Sequence, residues 1–167
     1  MTCTCHDLPT LPVTVLDGGH APSRAHAGDA GLDLRIRGHA DPDTGTEHLL
    51  TPEWGLVLEP GERVVALAGF TMALPHGFAA KVSPRSGLAA RHGLTVVNSP
   101  GLIDAGYRGE VKVVLLNTGT EEIDLAYGDR IAQMTVERVA LPAVEVVDAL
   151  PSGDGRGAAG LGSTGRA

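Results

Sequence analysis

No apolar run in this chain goes far before a glycine or a proline ends it. The 167 residues include 23 glycines and 11 prolines, spread along most of the length. The pieces between breaks are too short for helices of ordinary length, and they suit strands. Leu32-Asp33-Leu34-Arg35-Ile36 alternates cleanly. Its apolar side chains share one face, and Asp33 and Arg35 share the other. Strands are likewise expected at residues 13–16, 63–67, 70–74, 78–82, 94–97, 111–116, 123–126, 130–139 and 143–149. One short helix is expected at residues 88–92, with Ser86 and Gly87 at its N-cap. Residues 38–55 read as a polar surface loop with a short strand near 49–50, and His39 and His48 as solvated loop residues. Strand–helix–strand alternation is absent, so the expected class is all-β, a jelly-roll-like or distorted barrel subunit.

Composition bounds the core and the partners. Hydrophobic residues make up 43% and aromatics only 3%, so Val, Leu, Ile and Ala must fill the interior. A chain of this length buries roughly 70% of its unfolded surface as one domain. That domain is expected at residues 1–150. Residues 151–167 hold six glycines and read as a flexible arm. A net charge of -7 disfavours nucleic-acid binding, which needs a basic face. Apolar stretches stay below membrane-span length, so no membrane partner is expected. The first residues lack the basic-then-apolar order of a signal peptide. Cys3, Cys5 and His6 are one short of a four-ligand zinc site. They read as a terminus with reduced thiols, and the expected compartment is the cytoplasm.

The most loaded stretch is residues 98–110, Asn-Ser-Pro-Gly-Leu-Ile-Asp-Ala-Gly-Tyr-Arg-Gly-Glu. Apolar runs at 94–97 and 111–116 flank it, so it reads as the connection of a broad hairpin. Alone it is either a glycine-rich turn or a loop carrying a base, Asp104, and a flat wall, Tyr107. Arg85-Ser86-Gly87 ahead of the short helix offers a guanidinium fork and free N–H groups, chemistry that suits phosphate. The alternative is an ordinary cap with a surface arginine. The run at 111–116 is apolar on both faces, which points to a subunit interface.

Five glycine-bearing segments follow one another: Ala30-Gly-Leu-Asp-Leu34, Pro84-Arg-Ser-Gly87, Gly101-Leu-Ile-Asp-Ala-Gly-Tyr-Arg-Gly109, Gly128-Asp-Arg-Ile-Ala-Gln133 and Arg156-Gly-Ala-Ala-Gly-Leu-Gly-Ser-Thr-Gly165. Together and in this order they resemble the five motifs of the trimeric dUTP nucleotidohydrolases, the dUTPases. The resemblance runs from Val13 to Gly165. It implies a homotrimer whose active sites take motifs from all three chains. It implies hydrolysis of dUTP to dUMP and pyrophosphate with Mg2+, by water attack on the α-phosphorus.

The resemblance also implies roles residue by residue. Asp104 is the general base for the attacking water. Asp33 holds Mg2+ through water, as suits an ion that keeps much of its hydration. Arg85, Ser86, Gly87 and Gln133 bind the phosphate chain. Asn98, Gly101, Leu102, Ile103 and Lys112 surround the uracil, and Tyr107 lies against the deoxyribose. A base with the wrong edge would leave buried groups unpaired. In the arm, Arg156, Ser163, Thr164 and Gly162 take the γ-phosphate end. Leu161 stands where the family usually has an aromatic ring, and Ala159 where a glycine is usual. Leucine covers the base but forgoes stacking worth about 0.5–1.5 kcal/mol.

Two rival readings differ at named residues. The dCTP deaminases share the fold but place a catalytic glutamate where this chain has Val114, and without an acid there water is not activated for attack on the base. A non-catalytic scaffold of the same fold has no need of Asp33, Asp104, Arg85, Ser86 and Tyr107 together.

Overall fold

A computed structural model describes residues 10–152, so Cys3, Cys5, His6 and the motif at 156–165 lie outside the described residues. The strands are β1 (Val13–Val15), β2 (Leu32–Arg35), β3 (Gly38–Ala40), β4 (Glu47–Leu49), β5 (Leu56–Leu58), β6 (Arg63–Leu67), β7 (Phe70–Met72), β8 (Phe78–Ser83), β9 (Leu94–Val96), β10 (Gly101–Ile103), β11 (Lys112–Asn117), β12 (Ile123–Leu125) and β13 (Arg130–Arg138). One helix, α1 (Ser86–His92), stands between β8 and β9.

Among the described residues the strands form four sheets rather than one closed barrel. Two are larger, β10-β8-β13-β2 and β4-β3-β6-β11-β9, and two are ribbons, β1-β7 and β12-β5. Every strand pairing among the described residues runs antiparallel, as the absence of crossover helices requires. Aliphatic side chains from both larger sheets meet around Phe70, with Leu34, Ile36, Leu115, Ile131 and Met134 buried in the same cluster.

The structure corrects four local expectations. Residues 38–55 are not simply a loop, because β3 and β4 make a hairpin and β5 follows. The helix starts earlier, at Ser86. Its N-cap is the extended Arg85, which makes no side-chain cap bond. The runs at 94–97 and 111–116 do pair, as β9 and β11. Their connection, however, leaves the sheet and contributes β10 to the other one. Residues 143–149 form no strand. Val144 and Val146 are 93% and 94% exposed, because nothing in the described chain pairs with this segment.

In strand β11 the residues from Val113 to Leu116 are apolar on both faces. Val113 and Leu115 face the core, while Val114 and Leu116 sit half-buried on the outer face beside Val65. Exposed Val97 follows β9 on the same edge.

A buried ion pair ties three loops together. Arg37 donates to both carboxylate oxygens of Glu110, at 2.7 and 2.6 Å, and the Gly69 N–H donates to Glu110 at 2.7 Å. The two side chains are only 10% and 9% exposed. Burial pushes the Glu110 carboxyl up. Hydrogen bonds from Arg37 and Gly69, with the charges of Arg37 and Lys112, outweigh burial and hold it below its usual value. This contribution is present above the unfolded carboxyl pKa and is lost as pH falls through the folded one. Arg37→Met strands the carboxylate and is expected to cost about 3–5 kcal/mol at neutral pH. Urea unfolding should show that deficit shrinking as acid protonates Glu110. A deficit independent of pH would contradict this account.

Candidate active site

Strand β13 lies between β2 and β8, and its register sets Gln133 opposite Asp33 on one side and Ser83 on the other. Residues in register across a sheet share a face. Asp33 and Gln133 therefore line one cavity of about 400 Å³, together with Arg85, Ser86, Gly87 and Arg91. The backbone of Asp33 is fixed by a bridge to Ser23, whose carbonyl accepts the Asp33 N–H at 2.7 Å. Gln133 donates from Nε2 to the Pro84 carbonyl at 3.0 Å. Gly31 gives it room, since a Cβ there would lie 2.9 Å from Gln133 Oε1.

The Asp33 carboxylate is mostly buried, 14% exposed, and doubly paired. Arg85 Nε donates to Oδ1 at 3.0 Å, and Arg130 Nη1 donates to Oδ2 at 3.1 Å. Arg130 escaped the sequence reading. It stands three residues before Gln133, and regular alternation would put the two on opposite faces. The register shifts between Arg130 and Ala132, inserting one residue. That bulge returns Arg130 to the face of Asp33. Its signal in the sequence is the charge itself, inside the Gly128–Gln133 motif.

A second cavity, of about 210 Å³, is lined by Leu102, Ile103, Asp104, Tyr107, Val111 and Lys112. Strand β10 is the end strand of its sheet, so one edge of its backbone is unpaired. The loop after it braces itself. The Tyr107 N–H donates to the Asp104 carbonyl at 3.1 Å, and the Tyr107 hydroxyl donates to the Glu110 carbonyl at 2.8 Å. Gly109 leaves room for this ring, because a Cβ there would lie 2.5 Å from the Tyr107 hydroxyl oxygen and would displace it. Asp104 is exposed, and its carboxylate makes no hydrogen bond to a described residue. Asn98 packs against Gly101 beside the cavity. Lys112 reaches away, with Nζ donating to Glu47 on β4 at 3.0 Å.

The two cavities share no lining residue. One holds a doubly paired carboxylate, arginines and an amide. The other holds an apolar wall, an aromatic ring, an open strand edge and a carboxylate. Val114 lines neither.

A family profile described as dUTPase matches residues 48–165 of this chain. The chain belongs to the dUTPase family. Deoxyuridine 5'-triphosphate nucleotidohydrolase of Thermobifida fusca (strain YX) is 52% identical over 145 residues, covering 86% of this chain and 72% of that protein. The enzyme of the same name from Nocardia farcinica (strain IFM 10152) is 47% identical over 160 residues, covering 95% and 87%. Among solved structures, the Staphylococcus bacteriophage 80alpha dUTPase with dUpNHpp superposes with a TM-score of 0.76 at 25% identity, covering 94% of this chain and 99% of that one. As a dUTPase the chain is a hydrolase of mostly β structure. The family match continues through Arg156, Leu161, Gly162, Ser163 and Thr164, which lie outside the described residues.

Proposed function

We propose that this chain hydrolyses dUTP to dUMP and pyrophosphate, acting as a homotrimer with Mg2+. The observation that carries this reading is the division of the family's motif residues between two separate half-sites. The first suits a triphosphate and the second a nucleoside. Neither is sufficient alone, so a complete site would join the phosphate cavity of one subunit to the nucleoside cavity of another. The half-buried outer face at Val65, Val114 and Leu116 supports such an assembly, as does the uncovered segment with Val144 and Val146. The arm at 151–167 is the proposed third component, with Arg156, Gly162, Ser163 and Thr164 on the γ-phosphate and Leu161 over the base.

In the proposed reaction a water oxygen attacks the α-phosphorus and the bond to the α–β bridging oxygen breaks. Pyrophosphate leaves, and the water proton passes to an Asp104 carboxylate oxygen, which its exposure leaves free to accept it. Arg85 would exchange part of its bond to Asp33 for phosphate oxygens, with Ser86, Gly87 and the Gln133 amide donating beside it. The open edge of β10 would read uracil through backbone groups of Gly101, Leu102 and Ile103, next to Asn98 and Lys112. Tyr107 would close against the deoxyribose and leave no space for a 2′-hydroxyl.

A hydrated Mg2+ fits the phosphate cavity. Asp33 supplies one mostly buried carboxylate, and Asp29 lies in the same polar wall. Mg2+ commonly takes only one or two carboxylates beside phosphate oxygens and water. Among the described residues no three His, Cys, Asp or Glu side chains converge on a metal position, so phosphate and water would complete the shell. When bound, the ion would neutralise charge on the triphosphate.

Removal of dUTP keeps uracil out of DNA, and the dUMP formed is a precursor for thymidylate. We place this work in the cytoplasm, the compartment expected from the sequence. No helix among the described residues is long and apolar enough to cross a membrane. Pyrophosphate release from dUTP, dTTP, dCTP and UTP, with and without Mg2+, tests the function. Turnover is expected with dUTP alone, with no uracil product from dCTP. Comparable rates with dTTP or UTP would overturn the selectivity assigned to β10 and Tyr107. Truncation after Leu150 is expected to remove most dUTP turnover. Ordering the arm costs roughly 1–2 kcal/mol per residue, which only a full triphosphate offsets. Unchanged turnover in the truncated chain would sink the arm's role.

A further inference from the structure

We propose that Arg91, four residues beyond the Pro84–Gly87 motif, is a further substrate-binding residue that takes the phosphate chain. This assignment rests on the hydrolysis of dUTP proposed above. Arg91 lies in the last turn of α1, where a basic side chain can reach the helix's last carbonyls. It runs the other way. Helical side chains lean towards the N-terminus, and residues four apart share a face. Arg91 follows that direction back to Gly87, where a Cβ would lie 3.0 Å from Arg91 Nη2 and 3.6 Å from Cζ. The guanidinium thus stands beside the turn formed by Arg85, Ser86 and Gly87. It lines the same cavity of about 400 Å³ as Asp33 and Gln133.

The other charges around this cavity are already committed. Arg85 and Arg130 both donate to the one carboxylate of Asp33. The Asp29 carboxylate accepts the His26 N–H. Glu121 and Glu122 line an adjoining cavity with Arg91, yet neither comes within ion-pair distance of it. Arg91 is exposed, and among the described residues it makes no hydrogen bond and no ion pair. Its charge is therefore the part of the cavity's positive potential that no acid of the described chain cancels. A planar donor fork so placed matches phosphate oxygens. Arg85 must give up part of its bond to Asp33 to reach phosphate, whereas Arg91 breaks no bond. Its contact forms as substrate binds, so its loss falls mainly on KM.

The test compares the full chain with Arg91→Gln and Arg91→Lys by steady-state pyrophosphate release from dUTP with Mg2+. Glutamine removes the charge and lysine keeps it. Arg91→Gln is expected to raise KM at least about tenfold, with a smaller change in kcat, and Arg91→Lys to recover part of the loss. Calorimetric binding of dUpNHpp should weaken in step, and should fall less steeply with added NaCl in Arg91→Gln than in the parent. Inhibition by deoxyuridine, which carries no phosphate, should be equal in all three proteins, and so should their thermal midpoints. A KM for Arg91→Gln within about twofold of the parent, or a matching loss of deoxyuridine inhibition, would overturn the assignment. A parent that releases no pyrophosphate from dUTP would instead strike the proposed function. The dUpNHpp comparison would then decide Arg91, with unchanged affinity in Arg91→Gln overturning its role.

Discussion

Asp104→Asn is expected to leave dUTP bound but to lower kcat by about 10²–10⁴-fold, the usual worth of a positioned general base. Asparagine keeps the shape and the polarity of the side chain but cannot accept a proton from water. The substitution is also structurally mild. The carboxylate is exposed and bonds to no described residue, and the turn around it is held by the Tyr107 N–H and the Asp104 carbonyl. The loss should therefore fall on kcat, with little change in the affinity for a non-hydrolysable dUTP analogue. Pyrophosphate release at saturating dUTP, paired with calorimetric binding of the analogue, separates the two. A variant within about threefold of the parent rate would remove Asp104 from the mechanism.

Two inactive variants should rescue one another when their subunits are mixed. Asp104→Asn damages the nucleoside half-site and spares the phosphate half-site. Arg85→Ala does the reverse, and also leaves Asp33 with Arg130 as its one remaining side-chain partner. If each complete site joins half-sites from two subunits, random mixing at equal amounts leaves about one site in four with both halves intact. Activity should rise from near zero to about a quarter of the parent level. The samples must be unfolded together and refolded, so that subunits exchange. Mixed samples that stay as inactive as the separate ones would mean that one chain supplies both halves. That result would refute the shared site without touching the family assignment.

Much of the candidate site was legible because its residues sit in local motifs. Asp33 stands on a strand whose alternation fixes its face, and Gln133 ends a glycine-started motif on the strand that pairs with it. Arg85, Ser86 and Gly87 are consecutive, so one backbone turn presents all three to the cavity. Other features depend on partners far along the chain. Arg37 and Glu110 are 73 residues apart, and nothing near either one announces the other. The hairpin at residues 38–49 was hidden by its polar turn, since Asp41 caps Thr44 with side-chain bonds that look like loop chemistry in sequence.

By itself the sequence determined the all-β class, the identity of the motif residues and the family, because short alternating runs and glycine positions encode strands and turns locally. Only the tertiary structure decided where those residues meet. β10 joins the sheet of β2 at its opposite edge, with β8 and β13 between them, and this separates Asp104 and Tyr107 from Asp33 and Arg85. The bulge before Ala132 brings Arg130 to Asp33. Both depend on pairing between strands distant in sequence. The energy of that pairing lies in contacts and backbone bonds across the fold, which local pattern does not encode.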